Sequence, residues 1–477
     1  MRTRNSRSHR TGQRRPPASG RRPSSRLPVQ VIEASAEALL DLHQRFAACF
    51  RRREQRAWSL FYLCGQLANL NRKTIEAMVL NLRGAAGNAV RDLQRFMGEG
   101  RWDQPGMIEQ QQVVVAEGLG APDGVVIADG SGFPKQGDQS VGVAPQYCGH
   151  LGKVANCQQG VFLVYASARG HAFLDAQLYL PEAWFTRAYR ARWKACRIPA
   201  EQIFRTEPQL ALEMIARLVQ RAVVPFRWVT ADETYGKSPI FLDGIESLGR
   251  WSRSVAEVPV DTRVWLRTPR IEPPGPSLIG APRTRPRVAL NAATPQEVKH
   301  LAAALPKSSW TRKRIKEGSK GPLMAEFAFL RATTLRAGLP GPRVWVIFRR
   351  TLGVSAELKV YFSNAPTTCP PGEFVRLSGM RWPVETALEE GKNELGMDHY
   401  ETRTWPAWHR HMAHTFLAHL FLVGLCRLWQ KKSGLDRRPG TPVDRPGHRR
   451  SRSSITRRHY HLAISATPQP RGLSFTS

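Results

Sequence analysis

Apolar and polar positions follow two different periods along the chain, and the change comes near residue 120. From about residue 31 to residue 118, apolar residues recur at the spacing of amphipathic helices, and Gly and Pro separate the runs. We therefore predict an all-helical N-terminal domain over 31–118.

Short β-branched runs bounded by glycine begin at Gly124 and predict strands. The predicted strands are VVIAD (125–129), GVFLVYAS (160–167), AFLDAQLYLP (172–181), FRWVTAD (226–232) and a stretch near 251–258, with helices over 208–222 and near 239–248. The order β-β-β-α-β-α-β indicates a three-strand meander followed by strands that are reached through helical crossovers. The predicted fold class is α/β, a mixed sheet flanked by helices.

Residues 260–365 interrupt this rhythm with many Pro, Arg and Lys, before strand-like runs return within the same segment. We predict a β-rich basic insertion here, after which residues 366–432 complete the α/β domain. The apolar run 412–426 is shorter than the ~20 residues that a membrane span requires, so it predicts a buried core helix. We expect the histidines of this helix to be core or edge residues and not metal ligands: His409, His411, His414 and His419.

The net charge of +33 belongs to the folded part as well as to two tails. Segments 1–30 and 433–477 are rich in Arg, Pro and Ser and are predicted to be disordered. Residues 1–28 and 430–477 carry +9 each, which leaves +15 for the rest of the chain. An excess of this size favours nucleic acid as the partner over a basic surface that only aids solubility.

The cysteines and the N-terminal residues indicate the cellular compartment of the protein. Seven scattered cysteines without a CxxC pair predict a reducing compartment. The Arg-rich start has no apolar segment of the kind that a secretory signal contains. We predict a cytoplasmic protein with no membrane partner.

Two predicted strands finish on an acid, Asp129 and Asp232. Strand ends at the carboxyl edge of an open α/β sheet are where such sheets hold their sites. Taken singly, each aspartate reads better as a turn former or helix N-cap. If the strands are neighbours, however, the two carboxylates would repel each other, and a divalent cation is the natural resolution.

A third acid comes from the helix predicted by RWPVETALEEGK (381–392), which has Pro383 in its first turn. Its packed face is predicted at i, i+3, i+4, i+7 and i+11, which are Val384, Ala387, Leu388, Gly391 and Leu395. A separate stripe holds Arg381, Glu385, Glu389 and Lys392. Periodicity alone favours a surface salt-bridge ladder for this stripe.

Arg381, Glu385 and Lys392 fit the pattern R-x3-E-x6-K. This pattern resembles the glutamate signature of DDE transposases of bacterial insertion sequences, in the branch with a β-rich insertion before the catalytic glutamate. Four further stretches resemble other regions of that family: 128–161 its first aspartate, TADETYG (230–236) its second, KEGSKGPL (316–323) its insertion, and 395–414 the segment after the glutamate. The resemblance spans roughly residues 45–430.

The resemblance implies an RNase H-like fold in which Asp129, Asp232 and Glu385 form a catalytic, metal-binding triad. It implies two Mg²⁺ ions, with Mn²⁺ as a substitute, which activate water and stabilise the leaving 3′-oxygen at the transposon end. The freed 3′-OH then attacks target DNA. Arg381, Lys392 and Lys135 are implied to bind DNA.

Applied to the whole chain, the resemblance implies a DNA-binding domain over 31–118 and a catalytic core in two parts, 119–259 and 366–432. The implied partners are double-stranded DNA, namely terminal inverted repeats and target, and a second copy of the chain in the DNA complex. The location implied is the nucleoid of a bacterial cytoplasm. Two rival hypotheses stay open: an RNase H-like nuclease without strand transfer, and a non-catalytic DNA-binding protein derived from a transposase.

Overall fold

A computed structural model describes residues 29–432 with short gaps at 85–86, 150, 250–252, 276–282, 319–320 and 354–355. The tails predicted to be disordered lie outside the described residues, except that residues 29 and 30 begin the first helix.

Helices alone make up the first part of the described chain, as the periodicity predicts. They are α1 (Val29–Gln44), α2 (Arg53–Leu67), α3 (Ile75–Arg83), α4 (Ala89–Gly98) and α5 (Gln104–Leu119). Side chains before two of them accept hydrogen bonds from the first turn, because the first N–H groups of a helix have no partner within it. Thr74 caps α3 and Asp103 caps α5.

Strands and helices then alternate in the predicted order. The elements are β1 (Val125–Pro134), β2 (Ala144–Cys148), β3 (Lys153–Ser167), β4 (Gly170–Tyr179), α6 (Arg190–Ala195), α7 (Glu207–Arg221), β5 (Trp228–Ala231), α8 (Glu233–Gly236), α9 (Pro239–Ser247) and β6 (Arg253–Val258). Strand β2 is not predicted by the pattern, because Pro145 and exposed polar residues give it no apolar run. It lies at the edge of the sheet, paired only with β3.

The insertion is β-rich, as predicted, and it extends the core sheet. Its elements are β7 (Arg263–Trp265), β8 (Ile271–Glu272), β9 (Arg287–Val288), β10 (Gln296–Glu297), α10 (Val298–Ala304), β11 (Thr311–Gly318), β12 (Gly321–Arg336), β13 (Leu339–Thr351) and β14 (Leu358–Ser363). Strand β14 pairs antiparallel with β6, so that β12 and β13 follow in the same sheet. Only β8 and β9 form a sheet of their own among the described residues.

Three helices end the described chain: α11 (Pro371–Ser378), α12 (Trp382–Leu395) and α13 (Trp405–Lys432). All five residues of the face predicted to pack on α12 are buried. Helix α13 is longer than the apolar run that predicted it, and its described side chains are mostly buried. The core-helix prediction is confirmed.

The central strands lie in the order β4-β3-β1-β5-β6. The pairs β1–β3 and β3–β4 are antiparallel, whereas β1–β5 and β5–β6 are parallel. This is the meander followed by crossover strands that the sequence predicts, and the fold is an RNase H-like mixed sheet. Alternate residues of β1 enter two cores: Val126 packs with α7 and α9, and Ile127 lies on the side of α12 and α13.

The N-terminal helices pack against α13 through buried polar contacts. Tyr62 Oη lies 2.7 Å from His411 Nδ1, and Gln66 donates to Thr415 Oγ1 at 2.7 Å. Within the described residues, one stretch, Trp405–Leu428 of α13, is long and apolar enough to cross a membrane. Because 83% of its most apolar window is buried inside the protein, it has the character of a core helix.

Candidate active site

Asp129 lies on β1, and Asp232 directly follows the neighbouring parallel strand β5. The parallel pairing of β1 with β5 ends at Ala128 and Ala231, and each aspartate is the next residue. The expectation that the first strand ends at Asp129 is wrong, since β1 stays paired with β3 as far as Pro134. What ends at Asp129 is the contact with β5, and this opens the sheet edge beside the carboxylate.

Asp232 fills the helix N-cap role that the sequence favoured for it. It caps the short helix α8, with Oδ1 accepting a hydrogen bond from Thr234 N at 2.9 Å. It also contributes negative charge to the site, as its effect on the neighbouring aspartate shows. The capping contact fixes its side chain beside Asp129.

Asp129 ionises with difficulty in this environment. Burial raises the pKa of its carboxyl to about 7, helped by the charges of Asp232 and Glu385 and opposed by Arg381 and the N–H of Gly130. Its side chain is only 13% exposed. A cation bound here would favour the ionised carboxylate, because an opposite charge lowers the pKa of an acid.

Helix α12 brings the third acid to the aspartates. Glu385 lies in its first turn, with a side chain that is 53% exposed. Arg381 Nη2 lies 3.6 Å from Glu385 Oε1 and 3.8 Å from Asp129 Oδ2. Two of the three acids predicted from the sequence thus lie beside one guanidinium, and the charge of the third, Asp232, also acts on it.

Arg381 neutralises acids from three elements. Besides Asp129 and Glu385, its Nη1 lies 3.7 Å from Oε2 of Glu257 on β6. Burial alone would lower the pKa of Arg381, but the charges of Asp129, Asp232, Glu385 and Glu257 outweigh it and raise the pKa. The arginine occupies the position of a counter-ion.

Glu207, the first residue of α7, is a further acid that sequence reasoning missed. It accepts a hydrogen bond from Gln159 Nε2 at 3.3 Å, and burial, together with the charge of Asp232, raises its pKa. A Cβ atom placed on Gly130 would lie 2.8 Å from Glu207 Oε2, so the acid reaches the residue next to Asp129. An acid in a first helical turn usually complements the helix dipole, and for this reason the pattern gave no signal.

Lys135 and Lys392 lie at the same end of β1, with their ammonium groups turned toward protein. Lys135 Nζ donates to Tyr400 O at 2.9 Å and lies 3.5 Å from the Tyr400 ring centroid, and burial lowers its pKa to about 8. Lys392 Nζ donates to Gly132 O at 3.0 Å, and burial lowers its pKa as well. Both contacts hold the chain that follows Asp129.

The acids at the site fit a divalent metal ion. Each offers carboxylate oxygens, the ligands that Mg²⁺ prefers, and Mg²⁺ completes its shell with water and substrate phosphates. Burial is the main cause of the raised pKa of Asp129, and the charges of Asp232 and Glu385 add to it, so a bound cation would favour the ionised carboxylate. That Asp129, Asp232 and Glu385 hold such ions stays a prediction.

A basic cavity of about 340 Å³ opens in the helical part of the molecule. Exposed Arg91 and Arg95 of α4 line it together with Arg197, whose backbone has the left-handed φ of 54°. Glu99 is the acid in the lining, 3.6 Å from Arg197. The cavity therefore carries positive charge.

A family model described as DDE superfamily endonuclease matches residues 45–322, more than half of the chain. The chain belongs to the DDE superfamily of endonucleases. Nucleases of this superfamily use divalent metal ions, in keeping with the carboxylate cluster. The match includes Asp129 and Asp232 and stops before Glu385, so the role of Glu385 in this DDE endonuclease stays a prediction.

A curated relative extends the similarity. The chain is 24% identical over 346 residues to the "Probable transposase for insertion sequence element IS701" of Microchaete diplosiphon, covering 72% of this chain and 76% of that protein. Among solved structures, the NurA nuclease from Sulfolobus solfataricus is similar over 62% of this chain and 86% of that chain, at 12% identity. The TM-score of 0.23 is too low for that similarity to bear on fold or function.

Proposed function

We propose that this DDE endonuclease is a DNA transposase that cuts the ends of a mobile element and joins the freed 3′ ends to target DNA. The observation that carries the proposal is the convergence of Asp129, Asp232 and Glu385 around Arg381. The transposase of Microchaete diplosiphon supports the substrate class, because it is similar over most of the chain.

Asp129, Asp232 and Glu385 would hold two Mg²⁺ ions, or Mn²⁺ in their place, which when bound supply activation of the attacking water and charge stabilisation on the leaving 3′-oxygen. Asp129 is more deeply buried than Glu385, which is half exposed and faces the side from which a DNA strand would enter. Arg381, once released from the acids, would contact a phosphate of that strand.

Double-stranded DNA fits the charge of the whole molecule. The described body and both tails are basic, and neutralising phosphates releases counter-ions. We propose that the helices of residues 31–118 bind the terminal inverted repeats, with Arg91 and Arg95 of α4 in contact with phosphates. We also propose that two copies of the chain bind two DNA ends, in the nucleoid of the cytoplasm. The mass of the protein–DNA complex tests the homodimer.

The triad is tested by Glu385→Gln, with Glu389→Gln as the matched control. Glu389 has the same chemistry, lies one turn later on α12 and is exposed. We expect Glu385→Gln to abolish Mg²⁺-dependent cleavage of a DNA end and to leave its affinity for DNA nearly unchanged. Glu389→Gln should cleave at close to the wild-type rate.

Cleavage by Glu385→Gln at the wild-type rate would rule out its role in the triad. A strand-transfer assay with precut ends and target DNA separates the proposed reaction from its rivals. Joined products support a transposase, and cutting without joining identifies a nuclease. Neither reaction in the wild-type protein, with DNA binding intact, identifies a non-catalytic DNA-binding protein.

A further inference from the structure

Two histidines and a glutamate from three distant parts of the sequence meet on the opposite side of α12 from the triad. They are His171 of β4, Glu390 of α12 and His419 of α13. Glu390 Oε2 lies 3.2 Å from His171 Nε2 and 3.0 Å from His419 Nε2, and all three atoms lie within 4.8 Å of one another. His419 is fully buried, and the other two side chains are largely buried.

The ligand set and its spacing fit zinc. Zinc binds imidazole nitrogen and carboxylate oxygen at about 2.0–2.2 Å in tetrahedral geometry, which places neighbouring ligand atoms about 3.3 Å apart. The two nitrogen–oxygen distances of 3.0 and 3.2 Å are close to this value. Two histidines and one glutamate are also a known zinc set, and they leave a fourth position for water.

We propose that His171, Glu390 and His419 form a zinc site that ties α12 to the sheet and to α13, which departs from the sequence-based expectation that His419 is not a metal ligand. Glu390 follows Glu385 by five positions, which at 3.6 residues per turn places the two side chains roughly 140° apart on α12. One side of the helix thus faces the aspartates while the other would be fixed by zinc. The zinc would position α12 and take no part in DNA cleavage, so the proposal does not rest on the proposed function.

This site differs chemically from the triad. The triad offers only carboxylate oxygens, which suit Mg²⁺, whereas imidazole nitrogen suits zinc and cobalt. The alternative is a carboxylate that accepts hydrogen bonds from two imidazoles without any metal. The two states use the same three atoms, and metal binding distinguishes them.

The test is metal binding by the full-length protein after chelation and dialysis, in the presence of excess Mg²⁺. We expect one tightly bound Zn²⁺ per chain, and with Co²⁺ the intense visible absorption of tetrahedral coordination. His171→Gln and Glu390→Gln should each weaken Zn²⁺ binding by at least about 100-fold, since even the loss of an outer partner of a metal ligand costs 10–100-fold. His300→Gln, which changes an exposed histidine of α10, is the control and should bind as the wild type does.

Two further measurements keep the test decisive. Asp232→Asn should lose Mg²⁺-dependent cleavage and keep the Zn²⁺, so that failure of this proposal and failure of the proposed function give different results. Zn²⁺ should raise the Tm of the wild type and leave that of His171→Gln unchanged. Equal Zn²⁺ affinity in the wild type and His171→Gln, or only the weak absorption of octahedral Co²⁺ in the wild type, would overturn the proposal.

Discussion

Arg381 is the counter-ion of the acids at the candidate site. Its guanidinium lies within 4 Å of carboxylates from β1, β6 and α12, and it is 29% exposed. Removing it would leave acids facing one another at close range. We expect Arg381→Gln to lower the free energy of unfolding of the metal-free protein by roughly 1–3 kcal/mol.

The same substitution should strengthen metal binding, because the ions no longer compete with an internal cation. We expect Mg²⁺ to bind the variant about tenfold more tightly, a change of about 1.4 kcal/mol. Thermal unfolding at a series of Mg²⁺ concentrations measures both effects. Arg376→Gln is the control, since Arg376 pairs only with nearby Glu373 on α11 among the ion pairs of the described residues. Identical Mg²⁺ shifts in Arg381→Gln and the wild type would contradict the counter-ion role.

At the residue scale, the sequence predicts the position of a side chain well when a strand or helix determines it. It predicts the position poorly when contacts with distant residues determine it. Asp129 and Asp232 are brought together because each follows the last paired residue of two neighbouring parallel strands, which the sequence predicts as strands. Lys135 and Lys392 have the charge of DNA ligands, yet residues distant in sequence accept their hydrogen bonds. That they bind DNA stays a prediction. Their hydrogen bonds within the protein help to position the end of β1.

At the scale of elements, α12 shows how far one helix can be derived from its sequence. Its buried face is the predicted one, since an amphipathic helix must cover the apolar side of the sheet. Its contact with His171 and His419 could not be predicted, because it requires β4 and α13 to pack against α12. The periodicity of one helix does not specify which other elements pack against it, and so it does not predict the hydrogen-bond partners of Glu390.

The interface between α1, α2 and α13 contains a buried chain of polar groups that should make stability depend on pH. His43 Nε2 and His414 Nε2 each lie 3.1 Å from Ser59 Oγ, and His414 Nδ1 lies 2.9 Å from Arg410 O. Burial lowers the pKa of His43 to about 4 and that of His414 to about 4. The folded state holds both rings neutral while the unfolded chain takes up protons near pH 6.5, so stability falls as the pH drops from 6.5 toward 4.

His43→Gln should reduce this dependence, because glutamine can replace the hydrogen bond to Ser59 without titrating. Between pH 7 and pH 5 we expect the variant to lose about 2 kcal/mol less than the wild type, as the pKa difference implies. Urea unfolding at the two pH values measures the change, with the exposed His300→Gln as control. An equal loss in His43→Gln and the wild type would show that His43 already titrates normally in the folded state.

At the scale of the whole molecule, the charge of +33 favours a polyanionic partner, and the proposed contact is the basic cavity on α4. The cavity lined by Arg91, Arg95 and Arg197 lies on α4 and the loop near residue 197, away from the carboxylates in sequence. DNA that contacts both regions would span the helical domain and the catalytic core. The cavity should therefore contribute affinity and no cleavage chemistry.

Replacing both arginines of α4 tests this division. We expect Arg91→Ala/Arg95→Ala to weaken binding to all DNA sequences and to lower the slope of log affinity against log salt by about two, since each phosphate contact contributes about one. The control is Arg283→Ala/Arg287→Ala, which removes the same charge from two arginines that pair with Glu272 beside the small second sheet. If both doubles change the slope equally, the helical domain binds DNA only through its net charge. If only the first does, the arginines of α4 contact the DNA backbone directly.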